Sequence, residues 1–127
     1  MSDSIYTRLD AWQKAMRLAI DTYRVTESFP RHELYGLTSQ MRRAAVSVPS
    51  NIAEGRGRDT QLDFRQFVIR SRASVYELQT QMTIAKELRY LPDDDAQRFM
   101  ANSDQVVLVI NGLIRHLSQV KRRERDS

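Results

Sequence analysis

The chain has 127 residues, no cysteine and a formal charge of +4. That length suits a single domain (1–127, with an ordered core of about 6–122), and the missing thiols exclude disulfides, thiolate zinc sites and cysteine nucleophiles, in keeping with a reducing cytosol. The N-terminus lacks a basic-then-apolar leader pattern and the longest apolar run, Val106 to Ile110, is far too short for a bilayer, so the expectation is a cytoplasmic protein with no membrane partner.

No stretch alternates with a period of two; the apolar periods are helical throughout. The spacing predicts a first helix from about Arg8 to Ser28, with Leu9, Trp12, Met16, Ala19, Ile20 and Tyr23 on its inner face and a Thr7-x-x-Asp10 capping box at its start. Phe29-Pro30 breaks it, because proline cannot continue a helix but can begin the next. The second helix places Leu37, Met41, Ala44, Ala45, Val48 and Ile52 inward. Pro49 lies within it and predicts a kink, since its ring crowds the Ala45 carbonyl and removes that carbonyl's donor; Ser47, Ser50 and Asn51 are expected to reach the freed backbone groups. Gly55 and Gly57 are expected to end the helix by supplying positive φ, and Asp59 or Thr60 to cap the next.

In the third helix Phe64, Val68, Ser71, Val75, Leu78, Met82 and Ala85 step alternately by four and three, the seam of packed antiparallel helices. Leu91-Pro92 breaks the chain again, and Asp93, Asp94 and Asp95 suit the positive end of a helix dipole. The fourth helix repeats the seam through Ala96, Phe99, Ser103, Val106, Ile110, Leu113, Leu117 and Val120. Lys121, Arg122 and Arg123 sit at its negative end, and the tail beyond is expected to fray. Four amphipathic helices with short connections predict an all-α, up-down-up-down antiparallel four-helix bundle.

Two features exceed what a lone bundle needs. Residues 106–110 are apolar on every side, and Ile114 continues the pattern. A helix that is apolar all round is buried all round, so Leu108, Val109 and Ile114 are expected at a subunit interface; the alternative is a wide core stripe with one or two stray exposed residues. A polar stripe of small residues on the second helix, including Ser47, Asn51 and Glu54, suits a partner subunit or a ligand, or else is an ordinary solvated face.

The second feature is the placement of charge. Residues 42–72 hold seven arginines (Arg42, Arg43, Arg56, Arg58, Arg65, Arg70 and Arg72) against Glu54, Asp59 and Asp63, which accounts for the whole excess of +4. Across the chain arginine outnumbers lysine 17 to 3; the planar guanidinium fork suits phosphate, although a GC-rich genome gives the same bias. Gly55-Arg56-Gly57-Arg58 leads into the start of the third helix, where free amides favour anions. The GK[ST] ending of a P-loop is missing, and a glycine-terminated helix hairpin explains the glycines by themselves.

The run Phe29-Pro30-x-x-Glu33-x-Tyr35-Gly36-Leu37-x-x-Gln40-x-Arg42-Arg43-Ala44-Ala45, followed by Ser47 and Asn51-Ile52-Ala53-Glu54-Gly55, resembles the signature of a bacterial family. These are the four-helix-bundle proteins encoded in intervening sequences of 23S ribosomal RNA genes, whose relatives include accessory proteins of diversity-generating retroelements. The resemblance spans about Tyr6 to Val120 and is most specific over Asn51–Gly55. It implies a four-helix bundle, assembly into rings of five, and a basic surface for RNA or DNA. Ala73-Ser74 departs from the Gly-Ser of many relatives, which bears on a close helix contact but not on the fold.

Catalytic and metal chemistry finds no candidate set. A di-iron bundle needs Glu-x-x-His on two helices, and neither His32 nor His116 has a glutamate three residues earlier. Both histidines read as solvated, so no haem or metal ligation is expected. No GxSxG context is present, and Glu54 is a lone carboxylate beside Arg56 and Arg58. Tyr23, Tyr35, Tyr76 and Tyr90 read as core or interface residues. The expectation is a non-enzymatic, cofactor-free homo-oligomer, a pentameric ring by resemblance, that associates with RNA or DNA through its arginines. The alternative is a protein-interaction scaffold that touches no nucleic acid and whose arginines pair with acids across subunit contacts.

Overall fold

The structure is a computed structural model that describes residues 5–126, with side chains described over residues 6–119. Four α-helices follow in order, α1 (Asp10–Thr26), α2 (Leu37–Arg56), α3 (Gln61–Glu87) and α4 (Asp93–Asp126), with 3₁₀ turns at Ile5–Arg8 and Arg31–Glu33. Among the described residues there is no strand. Contacts join α1 to α2, α2 to α3, α3 to α4 and α4 back to α1, which closes a four-helix bundle.

Hydrogen bonds fix the direction of each pair. Ser71 donates to the Val48 carbonyl at 2.8 Å, while Gly55 packs on Phe64 and Phe67, so residue numbers fall along α2 as they rise along α3. The α3–α4 seam carries three polar contacts of the same sense: Arg65 to Ser118 at 2.7 Å, Arg72 to Asn111 at 2.8 Å, and Gln79 to Ser103 and Asp104 at 2.8 Å. Both pairs are therefore antiparallel.

The core seams of α2 and α3 follow their spacing. Met41, Ala44, Ala45, Val48 and Ile52 are buried on α2, and every expected α3 seam residue from Phe64 to Ala85 is buried. On α4 the buried line is Ala96, Phe99, Ser103, Val106, Ile110, Ile114 and Leu117. Leu113 is half-buried beside it, and the side chains of Val120 and Lys121–Arg123 lie outside the described residues.

α1 differs from its expectation. Its buried positions are Ala11, Ala15, Leu18, Ala19, Thr22 and Thr26, while Ile20 and Tyr23 are 45% and 44% exposed. The threonines can turn inward because their hydroxyls bond backbone carbonyls one turn back, Thr22 to Leu18 at 2.8 Å and Thr26 to Thr22 at 2.7 Å, leaving methyl groups for the core. The expected capping box is replaced by the 3₁₀ turn, and the helix begins after Leu9 without a side-chain cap.

α2 runs unbroken through the buried Pro49. Ser47 and Asn51 do bond the backbone, but at the carbonyls of Ala44 (2.7 Å) and Ser47 (2.8 Å) and not at the Ala45 carbonyl that proline deprives of its donor. At the start of α2 Glu33 accepts from the Leu37 amide at 3.1 Å and from the Tyr90 hydroxyl at 2.7 Å, tying this helix to the α3–α4 turn. The Leu37 amide first, and then the Tyr90 hydroxyl, holds the Glu33 carboxyl below the ordinary carboxylate range; the same Glu33 contact raises the Tyr90 phenol.

The α3–α4 turn closes in a Schellman motif, with Tyr90 N bonding Ala85 O and Arg89 N bonding Lys86 O, both at 3.0 Å. Arg89 takes the left-handed position at φ 60°, where glycine is usual. Asp93, Asp94 and Asp95 then occupy the first turn of α4.

Candidate nucleic-acid interface

The α2–α3 hairpin brings the basic segment together, and Gly55 is what lets it close. A Cβ on Gly55 would lie 2.6 Å from Phe67 Cβ and 3.1 Å from Phe64 Cδ1, so only glycine allows the two phenylalanines this near the α2 backbone. Neither Gly55 nor Gly57 has positive φ, which corrects the expectation of a left-handed cap; Gly57 ends the helix at φ −82°. Thr60 caps α3 by accepting from the Asp63 amide at 3.1 Å.

Arginines gather around these two rings. The guanidinium carbons of Arg58 and Arg70 lie 4.6 and 4.7 Å from the centroid of Phe67, and that of Arg56 lies 5.9 Å from the centroid of Phe64. Such stacking stabilises by about 0.5–1 kcal/mol at exposed sites. The guanidinium carries a planar fork of N–H donors that suits a ligand such as phosphate. Arg56, Arg58, Asp59, Thr60, Gln61 and Phe64 border a polar hollow of about 430 Å³ beside the first turn of α3.

The other arginines are held elsewhere. Arg65 and Arg72 lie half-buried along the α3–α4 seam, where they bond Ser118 and Asn111. Arg42 turns toward α1, bonding Thr26 Oγ1 at 2.9 Å and stacking on Tyr23 at 4.8 Å, and Arg43 is exposed nearby. The segment therefore divides into a hairpin group (Arg56, Arg58, Arg70), a seam pair and an α1-facing pair, instead of one continuous field. Among the described residues none of the seven forms an ion pair; the pairs are Lys14–Asp10, Arg24–Asp21 and Arg98–Asp95.

The residues expected at a subunit interface also scatter. Leu108 is 60% exposed, Val109 packs half-buried against the core, and Ile114 is a core residue of its own chain. Ile114 goes inward because it follows the buried Ile110 by one helical turn. Ser47 and Asn51 are half-buried and Glu54 is exposed on α2. His32 and His116 are exposed. Tyr35 is 93% exposed, contrary to a core placement, and Tyr23 and Tyr76 are roughly half exposed.

Residues 7–112 match the family described as 23S rRNA-intervening sequence protein. The chain belongs to that family. Its fold is similar to the 1.70 Å crystal structure of a protein of unknown function from the S23 ribosomal protein family of Bacteroides thetaiotaomicron VPI-5482, with a TM-score of 0.73 and 14% identity over 82% of this chain and 97% of that one. No curated protein matches the chain.

In this 23S rRNA-intervening sequence protein several signature residues do structural work. Phe29 is buried, its ring 5.5 Å from that of Tyr90. Glu33 caps α2, and Gly36 leaves room for its carboxylate, since a Cβ there would meet Glu33 Oε1 at 2.7 Å. Gly55 seats the hairpin phenylalanines. Among the described residues no group of three or more His, Asp or Glu side chains is disposed to hold a metal, and no helix is long and apolar enough to cross a membrane.

A further surface has no counterpart in the sequence expectations. Trp12, Met16, Ile20 and Tyr23 of α1 face Val46 and Pro49 of α2 across an open apolar trough of about 460 Å³. The periodicity of α1 marks these residues as a coherent face; Trp12 also packs against the core, while Ile20 and Tyr23 are exposed on the trough.

Proposed function

We propose that this protein is a non-enzymatic homo-oligomer, a ring of five on the family resemblance, that associates with RNA or DNA through the hairpin arginines Arg56, Arg58 and Arg70. The supporting observation is that these cations are stacked on Phe64 and Phe67 with no carboxylate partner among the described residues. Positive charge without a direct ion pair, with Asp59 the one acid in the same hollow, suits a polyanion, and the guanidinium fork suits phosphate. Membership of a family named for 23S rRNA intervening sequences is in keeping with an RNA ligand. Repeating the hairpin around a ring multiplies the local cationic field.

Gel shifts with a structured RNA and a DNA duplex at two salt concentrations test the reading. Binding is expected at low salt and is expected to fall steeply as salt rises, because phosphate contacts release counterions. No shift at low salt overturns it. The second reading is a protein-interaction scaffold whose arginines pair with acids across subunit contacts; within one chain Arg65 and Arg72 bond the neutral Ser118 and Asn111 instead.

A further inference from the structure

The α1–α2 trough does not end at Val46. A second depression of about 520 Å³ shares Tyr23 and Val46 with it and continues past Arg42 and Arg43 to Tyr35. From Ala53 to Ser39 the combined floor follows α2 for roughly 20 Å at the helical rise. A long apolar concavity with a cationic end is the shape that receives one face of a helix.

The same chain carries such a face. On α3, Leu62, Tyr76 and Ile84 are each more than 40% exposed. Leu62, Ile69, Ala73, Tyr76, Thr80 and Ile84 fall within about 40° of one direction at 100° per residue, with Gln66 at its edge and Glu87 at its end, opposite the core seam of Phe64 to Ala85. A helix apolar on two opposite sides is built to be covered on both. The carboxylates beside this outer stripe, Glu77 and Glu87, have no cationic partner among the described residues, just as Arg42 and Arg43 at the trough have no anionic one.

We propose that the α1–α2 trough of one copy receives the outer α3 stripe of a second copy, with Glu77 and Glu87 paired to the trough's arginines. This rests on the oligomeric part of the proposed function and specifies how the copies meet. Two different patches make a head-to-tail contact, so each copy still offers a free trough and a free stripe, and closure gives a ring and not a two-fold dimer. It also assigns Arg42 and Arg43 to assembly, leaving the hairpin arginines for nucleic acid.

The test uses light-scattering mass of the full chain and two variants at exposed positions, Val46→Lys in the trough and Tyr76→Lys on the stripe, with circular dichroism confirming that both stay helical. Wild type is expected above twice the 14.8 kDa of one chain. Each variant alone is expected at the mass of one chain. Their equimolar mixture is expected at twice that mass and no higher, because one intact trough then meets one intact stripe. Ile20→Lys and Ile84→Lys on the same faces are expected to repeat the result. If Tyr76→Lys keeps the wild-type mass, or the mixture stays monomeric, the pairing is overturned while the oligomeric reading stands. A monomeric wild type removes both, and leaves nucleic-acid binding to be judged by the gel shifts.

Discussion

Gly55 and Phe67 lie so close that a methyl group on the glycine would sit 2.6 Å from Phe67 Cβ. Both atoms belong to rigid parts of the α2–α3 hairpin, so Gly55→Ala must push the helices apart. The expected cost is roughly 1–3 kcal/mol, read as a lower urea midpoint. Gly57 is the control: its φ is −82° and the nearest atom to an added Cβ is 3.6 Å away. Gly57→Ala is expected to leave stability unchanged or raise it by up to about 1 kcal/mol. Equal losses at the two glycines would contradict the packing role of Gly55.

Arg89 holds a left-handed conformation that costs a side-chain-bearing residue about 1–2 kcal/mol. Arg89→Gly is expected to relieve most of that strain, partly offset by the greater freedom of glycine in the unfolded chain. A rise in melting temperature checks it; a fall would mean that the arginine side chain contributes something its geometry does not reveal.

Glu33, held by the Leu37 amide first and then by the Tyr90 hydroxyl, predicts two pH limbs together with Tyr90. Glu33 is lowered from its ordinary 4.5, so its contribution is present above that value and is lost as pH falls through the lower folded pKa. Tyr90 is raised from 10.0, so its contribution is present below that value and is lost as pH rises through the higher folded pKa. Glu33→Gln is expected to flatten the acid limb of melting temperature against pH, and Tyr90→Phe the alkaline limb. Unchanged limbs would show that the Leu37 and Tyr90 hydrogen bonds to Glu33 carry no linkage.

The division of the arginines predicts two kinds of variant. Arg58→Gln and Arg70→Gln are expected to weaken RNA or DNA binding irrespective of sequence, and to flatten the log–log salt slope by about 0.9 for every duplex-DNA phosphate that is no longer neutralised. Arg65→Met and Arg72→Met are expected to leave binding intact and cost about 1 kcal/mol of stability each, the net contribution of one hydrogen bond. Parallel gel shifts and urea melts of all four separate the classes.

The seams of α2 and α3, and that of α4 as far as Ile110, were legible because apolar residues recur at helical spacing; beyond Ile110 it is Ile114 and not Leu113 that is buried. α1 was not, because its core positions are alanines and threonines while its bulkiest side chains, Trp12, Met16, Ile20 and Tyr23, lie on the trough. Hydropathy ranks a threonine as half polar; burial becomes acceptable once its hydroxyl bonds the preceding turn, and that bond has no signature in composition. The basic segment was legible as an excess of charge, but its division depended on which ring or amide each guanidinium could reach. Gly55 looked like a helix stop because glycine often is one, and the phenylalanines that require it lie on the next helix.

The make-up of α1 also bears on motion. Its fully buried positions are Leu18 and small side chains, with Trp12 and Val25 only partly buried against the core and Ile20 and Tyr23 turned outward. In a lone chain the amides of this helix should therefore open to hydrogen exchange at a lower free energy than those of α3, whose buried line includes Phe64, Val68, Leu78 and Met82. Whatever covers the trough would slow that opening, so the protection of one helix becomes a local gauge of occupancy.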